Sequence, residues 1–195
     1  MNIRAIIENA LSLKQQLLSD EHLVPMLEQS IATLTLCFRQ QGKVMFCGNG
    51  GSAADAQHLA AEFSGRFYFD RPPLDAEALH VNTSYLTAVA NDYSFDEVFA
   101  RLVKGRGRKG DVLIALSTSG NSPNILRAIE EARIAGLFVI GFTGKQGGKM
   151  KGLCDLLLQA PSNDTPRIQE IHILLGHIIC QGVEENLFPQ YKPGR

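Results

Sequence analysis

Two histidines, a glutamate and a glutamine carry the side chains best suited to moving protons or holding a metal ion. His58 and Glu62 are four residues apart in AADAQHLAAEF, so on a helix they share a face. A pair of this kind suits general acid–base catalysis, and equally suits zinc or another borderline divalent cation. A solvated helix pair is the plain alternative. Gln169, Glu170, His172 and His177 lie in RIQEIHILLGHIICQ, among apolar residues. Gln169 and His177 are separated by about 12 Å of helix axis. They share one ion only by leaning together, and otherwise act at separate points or in different subunits. His172 falls on another face and is assigned a structural role. His22 and His80 have no companions and are assigned no chemistry.

Two polar loops could hold an anion. Ser117-Thr118-Ser119-Gly120-Asn121-Ser122 offers four hydroxyls in six residues and no lysine. The chain has no GxxxxGK[ST] pattern, which argues against a nucleoside triphosphate. Hydroxyls and backbone amides suffice for a phosphate monoester. A solvated Ser/Gly turn is the plain alternative. Gly48-Asn49-Gly50-Gly51 is the weaker signal, because glycine-rich turns also serve packing.

The elements that must position these groups alternate between strand and helix. Val44–Cys47, 111–116 and 137–142 read as buried strands, with 76–81 and 156–158 as further ones. Each polar loop follows a strand and opens a helix. Ser52, with Asp55 three residues on, resembles an imperfect capping box, and Ser122-Pro123 suits the start of the other helix. Parallel βαβ units are the economical fold, and ligands bind at the carboxyl ends of such strands. Two amphipathic helices come first, the second stopped by Gly42. A last helix, about 165–187, is apolar on more than one face. Burial between subunits as well as in the core is expected for it.

Composition sets the remaining bounds. Of 195 residues, 45% are hydrophobic and 20% charged, with a formal net charge of −1. These are values of a globular protein. Without a long basic run, a nucleic-acid partner is not favoured. Cys37, Cys47, Cys154 and Cys180 show no paired spacing and read as buried, reduced thiols. No segment approaches the roughly 20 apolar residues of a membrane span. The N-terminus lacks the apolar core of a signal peptide, so the expected location is cytoplasmic.

Four segments together carry a resemblance: CGNGGSAADAQHLAAEFSGRF at 47–67, ANDYSFDEVFAR at 90–101, LSTSGNSPN at 116–124 and RIQEIHILLGHIICQ at 167–181. In this order they resemble the sedoheptulose-7-phosphate isomerase branch of the SIS (sugar isomerase) family, over nearly the whole chain. The resemblance implies a flavodoxin-like three-layer α/β/α sandwich with a five-stranded parallel sheet. As one SIS domain, the chain divides into an N-terminal helical pair (about 1–41), an α/β core (about 42–188) and a tail (189–195). It implies a homotetramer with active sites between subunits. Ser117, Thr118, Ser119 and Ser122 would hold the substrate phosphate. Asn49, Gly50, Gly51 and Ser52 would line the sugar, with Asn91 and Asp92 nearby. His58, Glu62, Gln169 and His177 match the ligand set of zinc-binding members. The implied reaction turns a seven-carbon ketose phosphate into its aldose through an enediol, with Glu62 as base and His177 moving protons among oxygens. A non-catalytic SIS protein that binds a replication initiator is the rival. Its pattern lacks the helix carboxylate and the last histidine, both present here.

Overall fold

Five short apolar segments pair into one sheet. The computed structural model describes residues 1–191. The strands are β1 (Val44–Cys47), β2 (Ala76–Ala78), β3 (Val112–Leu116), β4 (Phe138–Thr143) and β5 (Leu156–Gln159). All pairings are parallel, in the order β2-β1-β3-β4-β5. Every residue of β1 and β3 is buried, because helices cover both faces.

Alternation along the strands builds two cores. Val44, Phe46, Ile114 and Phe142 face α1 (Ile3–Leu18), α2 (Leu23–Arg39), α3 (Gly51–Ser64) and α7 (Thr165–Leu187). Met45, Cys47, Leu113 and Val139 face α4 (Thr83–Asp92), α5 (Ala100–Arg106) and α6 (Pro123–Ala135). The result is the expected three-layer α/β/α arrangement. β1 and β3 are neighbours whose onward crossovers leave in opposite directions. Such a switch point opens a crevice at the carboxyl ends, where both polar loops lie.

α3 and α7 run side by side in the same direction. Gly51 meets the Gln169 side chain at one end, and Gly176 meets Leu59 further on. A methyl at Gly176 would stand 2.5 Å from Leu59 Cδ1, so the missing side chain sets how closely the helices approach.

Several boundaries differ from the sequence reading. α2 ends at Arg39, and Gln41 makes the turn with φ 59°. Gly42 already donates to the Cys37 carbonyl, at 2.9 Å, so the chain has reversed before it. The Ser52–Asp55 capping box does not form. Gly50 occupies the cap, and Ser52 lies buried inside the first turn. Ser122 is the cap of α6 but makes no side-chain capping bond. β2 stops at Ala78, and Asn82 then caps α4 by accepting from the Tyr85 N–H at 3.0 Å. α4 and α5 were not expected as helices. Pro189–Tyr191, at the start of the expected tail, is a short 3-10 turn, and 192–195 lie outside the described residues.

Candidate active site

The parallel packing of α3 and α7 brings His58, Glu62 and His177 together. One ligand atom from each lies within 4.8 Å of the others. His58 Nε2 is 3.0 Å from Glu62 Oε1 and 3.1 Å from His177 Nε2. A single Nε2–H can serve only one of these neighbours, whereas three lone pairs can serve one cation. Two imidazoles and a carboxylate fit zinc with a coordination position left over. Burial lowers the His177 pKa, the adjacent His58 acts in the same direction, and Glu62 opposes both. The Phe67 ring packs on the His177 imidazole at 5.5 Å between centroids.

The Gln169 side-chain amide lies against Gly51, in the first turn of α3. Eight residues before His177, α7 therefore meets the start of α3. His172 is structural, as expected. It is fully buried, its Nε2 donates to the Thr143 carbonyl at 3.1 Å, and its ring meets Phe142 edge-on. Burial pushes its pKa down to about 4.

The serine loop is held from behind. Gly144 donates to the Thr118 carbonyl, Met150 to that of Gly120, and Lys149 to the Asn121 side chain. Gly120 sits at φ +65° with the Gly147 carbonyl oxygen 2.2 Å from where a Cβ would be, so no other residue fits there. Ser117 is buried, and its hydroxyl pairs with that of Ser122 at 3.0 Å. Thr118, Ser119 and Asn121 line an open cleft of about 240 Å³, with Gln146, Asn163 and Thr165 opposite.

Asn49 pairs with a residue that sequence reasoning missed. Its side-chain amide exchanges two hydrogen bonds with that of Asn124, at 2.9 and 2.8 Å. Asn124 is 2% exposed, and this bridge ties the glycine loop to the start of α6. Asn91 and Asp92 end α4, exposed, and their mutual hydrogen bond is 2.9 Å. Asp55, read from sequence as a capping residue, instead buries Oδ2 without a partner one turn before His58. Burial raises its pKa, and His58 lowers it.

Comparison with known proteins gives consistent matches. The SIS domain family model matches residues 7–144. A phosphoheptose isomerase of Rhodospirillum rubrum is 58% identical over 163 residues, covering 84% of this chain and 87% of that protein. The structure of phosphoheptose isomerase from Neisseria gonorrhoeae superposes with a TM-score of 0.88 at 42% identity, covering 94% of this chain and 97% of that one. That of a phosphoheptose isomerase from Francisella tularensis gives 0.89 at 35% identity, covering 94% and 96%.

Proposed function

Because the chain belongs to the SIS domain family and stands among its phosphoheptose isomerases, it is an isomerase of phosphorylated sugars, and we propose that it converts sedoheptulose 7-phosphate into D-glycero-D-manno-heptose 7-phosphate. The observation that carries the mechanism is the convergence of His58, Glu62 and His177. Glu62 takes the proton from carbon 1 of the open-chain ketose and returns it to carbon 2 of the enediol. His177 moves the hydroxyl proton from the oxygen on carbon 1 to that on carbon 2, which leaves the aldehyde at carbon 1. Its lowered pKa keeps the imidazole neutral and able to accept that proton. Ser117, Thr118, Ser119 and Ser122 hold the phosphate, aided by the N-terminus of α6. Asn49, Gly50, Gly51 and Ser52 line the sugar, with Asn91, Asp92 and Gln169 nearby.

His58, Glu62 and His177 would hold a zinc ion, with Gln169 as the fourth donor. Zinc, when bound, supplies a Lewis acid for the carbonyl oxygen.

The same reading makes the protein a homotetramer of one SIS domain per chain, working in the cytoplasm. Exposed Ile3, Ile6, Ile7, Leu11 and Leu18 on α1 support the oligomer. Four free cysteines without a disulfide suit a reducing compartment. Among the described residues no helix is long and apolar enough to cross a membrane. The product would feed ADP-heptose and lipopolysaccharide core synthesis.

The test is NMR of the protein with sedoheptulose 7-phosphate, with and without added zinc, beside Glu62→Gln. Wild type yields aldose signals, and Glu62→Gln yields none while still binding the phosphosugar. Turnover by Glu62→Gln would remove Glu62 as the base. A folded wild type that gives no aldose under either condition would overturn the isomerisation.

A further inference from the structure

Behind the three converging side chains lies a second, fully enclosed polar cluster. Arg71 and Glu184 form an ion pair at 3.0 Å, with side chains 1% and 2% exposed. Glu184 belongs to α7, two turns beyond His177 and on the same side of the helix. Its carboxylate accepts four hydrogen bonds from one short segment. Phe67 N–H and Arg71 Nε donate to Oε1 at 3.1 and 3.0 Å; Tyr68 and Phe69 N–H donate to Oε2 at 2.7 and 3.1 Å. All four of these donors come from the stretch that leaves α3.

Arg71 faces the other way as well. Its Nη2 donates to the Glu62 carbonyl at 2.7 Å, and Nη1 to those of Phe63, Gly65 and Pro72 at 2.7, 3.2 and 3.0 Å. The last carbonyls of a helix have no partners within it, and here the guanidinium supplies them. The arrangement is specific to arginine, because an ammonium cannot spread planar donors over a carboxylate and several carbonyls at once.

We propose that Arg71 and Glu184 are positioning residues for the isomerisation: the pair fixes the backbone of Glu62, and the ring of Phe67 against His177, relative to α7. The proposal rests on Glu62 and His177 being the proton-transfer groups. Glu184 holds the Phe67 N–H, so the ring seated on His177 is anchored to the helix that carries His177. Arg71 holds the Glu62 carbonyl, so the carboxylate is anchored to the same point. Neither residue touches the serine loop, so substrate grip is separate from this function.

The experiment measures kcat and KM for sedoheptulose 7-phosphate on full-length Arg71→Met, Arg71→Lys and Phe67→Leu. Leu137→Ala is the control, since it opens a cavity in the other core, at the amino end of β4. Each variant's thermal midpoint is recorded, and rates are taken where all are folded. Arg71→Met is expected to lower kcat at least tenfold with KM within twofold of wild type. Arg71→Lys is expected to recover only part of that loss, and Phe67→Leu to lower kcat with the ion pair intact. Leu137→Ala keeps wild-type kcat despite its lowered midpoint. If Arg71→Met does not fold, Arg71→Lys and Phe67→Leu decide. Wild-type kcat in the folded Arg71 and Phe67 variants, or a loss no larger than in Leu137→Ala, overturns the positioning function alone. Turnover by Glu62→Gln in the same assay overturns the underlying reading and the positioning function with it.

Discussion

His172 shows how a single buried side chain couples this fold to pH. Its Nε2–H is committed to the Thr143 carbonyl, and its Nδ1 is buried without a partner. A second proton would place an unpaired charge in the core. The folded pKa, about 4, lies below the ordinary 6.5, so the unfolded chain takes up the proton first as pH falls. Stability from this group is therefore complete above 6.5 and is lost as pH falls toward 4, at most about 1.4 kcal/mol per pH unit. Urea titrations at several pH values should show this slope, and His172→Gln should flatten it. At this scale the sequence was informative wherever spacing alone decided proximity. His58 and Glu62 met because four residues make one helical turn. Asn124, Arg71 and Glu184 escaped notice because their partners lie 75 to 117 residues away in the chain. Glu184 left one signal, a carboxylate in register with His177 on an apolar helix.

The contact between α3 and α7 decides the site geometry at the scale of elements. Gly176, one residue before His177, lets Leu59, one residue after His58, lie directly on the α7 backbone. Gly176→Ala should force the two helices apart or tilt Leu59. The expected cost is about 1–3 kcal/mol of stability, read by urea unfolding. A larger proportional fall in kcat than in stability would follow, because the displaced turn is the one bearing His58 and His177. Removing Arg71 should cost more, about 3–5 kcal/mol, since it strands a buried carboxylate. Strands and the long last helix were legible because continuous apolar runs marked them. α4 and α5 were not. Only Val89 of α4 is buried, so no apolar stripe reveals it, and α5 is seven residues long with a glycine inside.

Across the whole molecule, α1 leaves much of its apolar face uncovered, with Ile3, Ile6, Ile7, Leu11 and Leu18 exposed. Leu11, Leu18, Val24 and Ile178 border an apolar groove of about 430 Å³ between α1, α2 and α7. Under the tetramer proposed above, this face is shared between copies. Sedimentation should then give a species several times the 21.3 kDa chain, and Leu18→Glu should dissociate it and lower activity. An active monomer at assay concentration would refute the oligomeric requirement. The α/β/α order was readable from the alternation of elements, because parallel strands need long crossovers. The exposed face on α1 was foreshadowed only by its apolar periodicity. The serine loop is stapled to β4 and the 144–150 turn, whereas the three converging side chains ride on α3 and α7, with the Asn49–Asn124 amide bridge spanning the two regions. On the proposed assignment, gripping the phosphate and rearranging the sugar depend on separately heritable parts. A lineage can replace the faces of two helices, and so change or abandon the reaction, while passing on an unaltered anchor for phosphorylated ligands.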